Sequence, residues 1–411
     1  AAILERVNEA AIRRSIRLFY GAQFAENASF SLGIYLLYFT EYDHFSFTQA
    51  LLLYIASQAT SILFDLFGGG LADALGRKRA YATGMAIYLA SFGVPVMFVR
   101  SYPLILALAL IGGVGHALHS NSLTAATADM LDGDAPRFRR VNAHTQMMVF
   151  LGRALASTAG GFLYMVARPL PFAAEAAALT LAALQALGMY EAPIPASAVR
   201  AHTQARRLAL EALVHLRTKA PQVLRVTVAA TLSSFLAGDL LFSYYQPFFR
   251  HHHFSATNLG VLFAVISLFS ATGSWTIKYA QGRGWRQGII AMVAGIVAVT
   301  GLCFATNRPA IALPATFLAA IGAGCMWPAL RLIVTEQSPA RIRTSALSAV
   351  TTITGTGIMV GFLLSGLLAD HGTPAQVGFT AVAFCMLSLA VLYAGPRLRA
   401  KKRARVAATA V

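Results

Sequence analysis

Apolar residues fall along this chain in twelve runs, each about as long as a bilayer-crossing helix, separated by short polar gaps. A transmembrane helix needs roughly 20 mainly apolar residues, so each run predicts one span. The spans lie at ~17–40, ~46–70, ~80–99, ~103–129, ~142–166, ~169–190, ~223–248, ~255–279, ~287–306, ~309–335, ~346–369 and ~375–395. Residues 1–16 alternate differently: Ile3, Val7 and Ala10 share one side of a basic amphipathic piece, expected to lie on the membrane surface. Between spans six and seven, residues 191–222 are polar and basic (Arg200, Arg206, Arg207, Arg217, Lys219) with Leu208, Leu213 and Leu216 interleaved. That stretch reads as a linker carrying one surface helix. It divides the chain into a first half, 1–190, and a second half, 223–396, followed by a basic tail, 397–411.

Composition agrees with lipid as the main solvent. Hydrophobic residues make up 57% of the 411, charged residues only 12%, against about 25% charged in a soluble domain. The mean hydropathy is +0.62. A formal charge of +17 could point to nucleic acid, but the positions of the bases exclude that reading. Of the 33 lysines and arginines, 27 lie at the N-terminus, in alternate gaps and in the tail; Arg100, Arg168, Arg250 and Arg308 occupy the other gaps. This is the positive-inside pattern, which predicts that both termini are cytoplasmic. Cys303, Cys325 and Cys385 sit inside apolar runs without metal-ligand spacing, so neither a disulfide framework nor a metal site is expected. The first run, flanked by Arg13, Arg14 and Arg17 and followed by no cleavage site, reads as a retained helix rather than a leader.

The two halves repeat. His44-Phe45-Ser46-Phe47-Thr48-Gln49 before span two recurs as His253-Phe254-Ser255-Ala256-Thr257-Asn258 before span eight. Asp129, Pro136 and Arg139-Arg140 after span four recur as Glu336, Pro339 and Arg341-Ile342-Arg343. Parallel repeats of this kind place a substrate site near the midplane between the halves.

The gap between spans two and three reads Gly69-Gly70-Leu71-Ala72-Asp73-Ala74-Leu75-Gly76-Arg77-Lys78-Arg79. It resembles the loop signature of the major facilitator superfamily of transporters, G-x-L-a-D-r-x-G-r-k, through Gly69, Leu71, Ala72, Asp73, Gly76, Arg77 and Lys78, with Ala74 where the family often has a base. The corresponding gap in the second half, Gln281-Gly282-Arg283-Gly284-Trp285-Arg286, keeps glycines and bases but has lost the acid. The resemblance implies an all-α membrane protein of twelve transmembrane helices in two pseudo-symmetric six-helix halves, working by alternating access, generally as a monomer. It also implies a cytoplasmic latch. Asp73 would face the N-terminal end of span eleven, where a helix dipole favours an anion, and Arg77 would reach Asp129, with Asp65 in the same network. Alternatively, Arg77, Lys78 and Arg79 only set topology.

Charges inside the spans are costly in lipid and usually turn toward a cavity or a partner. Glu26 lies with Gln23 and Asn27 at helical spacing on span one, and Asp239 with Ser243 and Gln246 on span seven. Arg153 shares a face of span five with Gln146 and Ser157; Arg331 on span ten follows Trp327 by one turn. One reading makes Glu26 or Asp239 a carboxyl that takes up and releases a proton. The other pairs acids with arginines to hold the bundle together, or lets Arg153 and Arg331 receive an anionic substrate. His116 and His119 share a face of span four and could relay protons or simply pack, and His144 lies low in span five. Trp275, Trp327, Tyr244 and Tyr245 could line an aromatic pocket or pack. Asp65 belongs with the latch, and Glu175, near the outer end of span six, is expected to face water.

Proton-driven drug exporters of the resembled family carry g-x-x-x-G-P-x-x-G-G on span five. Here Gly152-Arg153-Ala154-Leu155-Ala156-Ser157-Thr158-Ala159-Gly160-Gly161 keeps the terminal glycines and replaces Gly-Pro with small residues. There is no phosphate loop of the G-x-x-x-x-G-K-[ST] type, no Gly-x-Ser-x-Gly elbow and no His-Glu-x-x-His pair. The expectation is therefore a secondary transporter in the cytoplasmic membrane, with no cofactor and no enzymatic activity. It would export small amphipathic molecules against protons. The alternatives are a transporter of an anionic metabolite, sugar derivative or lipid-like molecule, and a non-transporting sensor built on the same fold.

Overall fold

Inside a bilayer every backbone amide must be bonded within its own segment or a closed barrel, so apolar runs of this length fold as helices. The computed structural model describes residues 2–190 except 121 and 132–133, residues 211, 214–218 and 220–279, and residues 284–339 and 343–408. No strand occurs among them. Eleven helices among the described residues are long and apolar enough to cross a membrane. Span two is Phe47–Leu75, span three Arg77–Tyr88 with a π-helical turn Leu89–Gly93, and span four Tyr102–His119 with Ser122–Met130. Span five is Ala135–Val166, span six Leu170–Leu187, and span seven runs from Pro221 to His251 through a π-helical segment Thr231–Leu236. Spans eight to eleven are Ala256–Thr276, Trp285–Ala305, Pro309–Gln337 and Arg343–His371; span twelve, Pro374–Ala408, carries its helix through the basic tail.

Span one departs from expectation. The surface piece and the first part of the span form one helix, Ala2–Glu26, and the chain then leaves helical geometry until a short helix at Tyr35–Leu37 and a π-helical turn at Tyr38–Tyr42. The stretch between, Asn27 to Ile34, includes Asn27, Ser29, Ser31 and Gly33. The polar members compete with the helical backbone for hydrogen bonds, and Gly33 is entropically costly to hold in a helix. Neighbours stabilise the break. Ser31 donates from both its amide (2.9 Å) and its hydroxyl (2.6 Å) to Glu175 of span six, so Glu175 caps unwound backbone instead of facing water. The Phe30 carbonyl presses so closely on Gly160 of span five that a Cβ there would lie 1.8 Å from its oxygen. The retained glycine of span five therefore makes room for the broken backbone of span one.

The chain forms two compact units, Ala1–Gln204 with Phe249–Leu268 and Ala205–Phe248 with Phe269–Val411. Within the first, span one packs on spans five and six, span three on four and six, and span two on four. Within the second, span seven packs on eleven and twelve, and span nine on ten and twelve. The pairings of spans one and three thus recur at spans seven and nine. Phe19, Ala22, Tyr81, Met85, Leu123, Leu179 and Ala182 centre the core of the first unit. Glu9 of the first helix receives both guanidinium nitrogens of Arg137 at 2.9 and 3.1 Å, and these hydrogen bonds hold its carboxyl below the usual range.

Candidate functional site

The polar residues of the first unit converge on Glu26, the last residue of the first helix. Gln23, one turn earlier, donates from Nε2 to Glu26 Oε2 at 2.9 Å, and the hydroxyl of Tyr81 on span three donates to the same oxygen at 3.0 Å. On the other side, His119 Nδ1 of span four stands 3.4 Å from Glu26 Oε1. The Nε2 of His119 lies 3.2 Å from Nδ1 of His116 one turn before it, with the two rings edge to face. Carboxylate, imidazole and imidazole thus follow one another, the first step an ion-pair approach without a hydrogen bond and the second within hydrogen-bond distance. Tyr81 is fully buried and His119 6% exposed, so this chain is shielded from water along most of its length. Asn27 donates to the Gln23 carbonyl at 3.0 Å and accepts from Arg153 Nη2 at 3.2 Å. Gln23, Glu26, Asn27, His116, His119 and Arg153 therefore do meet. Tyr81 is the member that sequence reasoning missed: a tyrosine four residues past the loop arginine is indistinguishable from a core aromatic until span three is packed against span one.

In the second unit, Asp239 is the third residue after the π-helical segment. A π turn inserts an extra residue and re-aims those after it, and such turns are frequent at functional sites. Asp239 makes no ion pair among the described residues. Ser243 donates to the Asp239 carbonyl at 2.7 Å, and Gln246 donates to the Tyr245 hydroxyl at 3.3 Å. Tyr244 is buried against Phe248 and Phe304, which makes it core rather than an open pocket wall. Trp327 of span ten packs edge to face on Phe235, with the Arg331 guanidinium 5.9 Å from its ring and exposed. Trp275 is 59% exposed and contacts Tyr279. Among the described residues, Arg153 makes no ion pair with Glu26 within the first unit, and Arg331 none with Asp239 within the second.

Of the loop between spans two and three, Gly76 takes φ +87, a conformation that favours glycine, and ends one helix as Arg77 begins the next. Lys78 Nζ donates to the Met189 carbonyl at 3.1 Å, at the C-terminal end of span six, where a cation meets the helix dipole. The side chains of Asp65, Asp73 and Asp129, and the surroundings of Gly69, lie outside the described residues, as does most of the linker. Arg286 pairs with Glu336 in the second unit, at the positions that repeat the Arg77 and Asp129 regions of the first half. At the opposite end of the first unit, Arg250 grips Glu41 through Nε at 2.6 Å and Nη2 at 3.2 Å, while Arg168 donates to the Glu41 carbonyl at 3.1 Å. Arg100 donates to Asp43 at 2.5 Å and to the Tyr38 hydroxyl at 3.1 Å. Burial pushes the Asp43 carboxyl up to about 6 despite the attraction of Arg100.

The family model of the Major Facilitator Superfamily matches residues 18–316 and 282–410. No curated protein matches the sequence. Solved structures share the fold at low identity. The nucleoside transporter NupG is 16% identical, covering 93% of this chain and 98% of its own, with a TM-score of 0.71. A D-xylose-proton symporter is 16% identical over 92% of this chain and 96% of its own, with a TM-score of 0.68. The peptide transporter POT in complex with sulfate is 16% identical over 93% and 94%, with a TM-score of 0.70. The chain belongs to the Major Facilitator Superfamily. It is a multi-pass membrane transporter and not an enzyme.

Proposed function

We propose that this member of the superfamily is a secondary active transporter that moves small amphipathic organic molecules out of the cell against protons. Glu26 exchanges the proton. The observation that carries this reading is the chain Glu26–His119–His116. A carboxylate held at one end by Tyr81 and Gln23 and approached at the other by two linked imidazoles can pass a proton along the span-four face, because an imidazole ring has one nitrogen to donate and one to accept. Asp239, beside a π segment and without an ion-pair partner among the described residues, is the corresponding acid of the second unit. The 27 bases at the N-terminus, in alternate gaps and in the tail support a cytoplasmic position for both termini. Proton coupling is also named for the xylose symporter that shares the fold.

The second reading is uptake or export of an anionic metabolite, sugar derivative or lipid-like molecule. It is favoured by one observation: Arg153 and Arg331 are exposed, and among the described residues neither makes an ion pair with the membrane acid of its own unit. A guanidinium in that state offers a fork to a carboxylate or phosphate.

The test is proton movement in proteoliposomes with a pH dye inside and a panel of compounds outside, comparing native protein with Glu26→Gln and Asp239→Asn. Substrate-dependent proton flux lost in one variant names the coupling acid. Substrate movement without proton flux, equal in all three, overturns the proton reading.

A further inference from the structure

Glu175 is a membrane carboxyl that the Glu26 chain does not use. It lines a cavity of about 30 Å³ with Ser31, Tyr35, Tyr88 and Phe92, enough for one water molecule. Two irregular elements face that cavity. One is the break of span one, whose Ser31 amide and hydroxyl both end on Glu175 Oε2. The other is the π turn Leu89–Gly93 of span three, which contributes Phe92 and Gly93. The titratable groups around the carboxylate are tyrosines: Tyr35 beyond the break, Tyr88 on span three, and Tyr54 and Tyr102 of spans two and four behind them. No lysine, arginine or histidine pairs with it among the described residues. An acid in lipid with hydrogen bonds but no counter-charge is costly to keep ionised, and taking up a proton removes that cost.

We infer that Glu175 is a proton-binding site governing the break of span one: charged, it holds Ser31 in the unwound segment, and protonated, it releases the Ser31 amide. Both Ser31 donors end on Oε2, so Oε1 can take the proton; the loss of charge then leaves Oε2 a weaker acceptor and loosens the Ser31 amide. The break lies between Glu26 at its inner edge and the Glu41–Arg250 pair beyond it. A proton at Glu175 thus acts on the joint linking them. This inference does not depend on Glu26 being the coupling acid.

Two readouts on purified protein test it: infrared difference spectra across pH, and hydrogen exchange of peptides covering residues 27–34, corrected for the intrinsic pH dependence of exchange. The expected result is a protonated-carboxyl band that is absent in Glu175→Gln and present in Glu26→Gln, with exchange at 27–34 accelerating on the acid side at the same midpoint. Ser31→Ala keeps the acid and is the control if Glu175→Gln does not fold. It should retain the band, exchange at least about tenfold faster at alkaline pH, as loss of one hydrogen bond to a charged group implies, and keep an acid-side acceleration through the backbone amide bond that remains. A band unchanged in Glu175→Gln, or exchange that follows sodium concentration instead of pH, overturns the proposal.

Discussion

His44 and His253, 209 positions apart, adopt the same left-handed backbone, with φ of +60 and +64. Each is followed by a phenylalanine whose amide bonds back to a carbonyl before the turn, Phe45 to Phe39 and Phe254 to Phe249. Each precedes a serine that caps the next span, Ser46 accepting from Gln49 and Ser255 from Asn258, both at 3.1 Å. Both histidines are exposed. The repeated motif is therefore a turn device built on the same left-handed backbone at both histidines.

It follows that His44→Gly and His253→Gly should melt at or above the native temperature in detergent. His44→Val should lose about 1–2 kcal/mol, since a branched side chain resists left-handed geometry. Equal losses in the glycine and valine variants would show that the imidazole is needed.

Glu26→Gln should abolish proton flux while leaving ligand binding measurable. His119→Ala, which cuts the chain between Glu26 and His116, should slow proton movement without removing it. Equal transport by His119→Ala and native protein, measured by dye response in proteoliposomes, would remove the histidines from the path.

Asp43 sets a pH dependence of stability. Its folded value, about 6, stands above the ordinary 3.8. Below 3.8 both folded and unfolded chains carry the proton. As pH rises toward 6 the unfolded chain loses its proton first, so stability falls across this window. Its side chain is fully buried, and a shift of about two units corresponds to at most about 3 kcal/mol. Asp43→Asn should flatten the melting temperature between pH 4 and 6. An unchanged slope would place the dependence elsewhere.

Gly160→Val should lose at least about 1–3 kcal/mol, the usual cost of forcing extra atoms into a packed interior, because no Cβ fits against the Phe30 carbonyl. Gly295→Ala, with nothing within 4 Å of its Cβ position, should be neutral or slightly stabilising. Similar melting of the two variants would mean that the approach of spans one and five is loose.

Arg331→Gln separates the two substrate readings. Uptake of anionic compounds into proteoliposomes should vanish and that of neutral ones should persist if the guanidinium binds substrate. Loss of both would assign Arg331, stacked near Trp327, to the packing of span ten.

What the linear chain determined was set by lipid. Hydropathy and run length decide which segments cross a membrane, charge placement sets the topology it predicts, and a motif such as Gly76-Arg77-Lys78 needs only local spacing to be legible. The polar residues at Gln23, Glu26, Asn27, His116 and His119 were visible for the same reason: each is expensive where it sits. What only the tertiary structure decided depends on the rotation and pairing of helices far apart in sequence. Tyr81 reaches Glu26 across 55 residues and Ser31 reaches Glu175 across 144. The break at 27–34 lay hidden inside an apolar run, because hydropathy measures the cost of transferring side chains to lipid and is blind to backbone geometry. The interruption is tolerable there because Glu175 supplies the acceptor that the unwound Ser31 amide would otherwise lack.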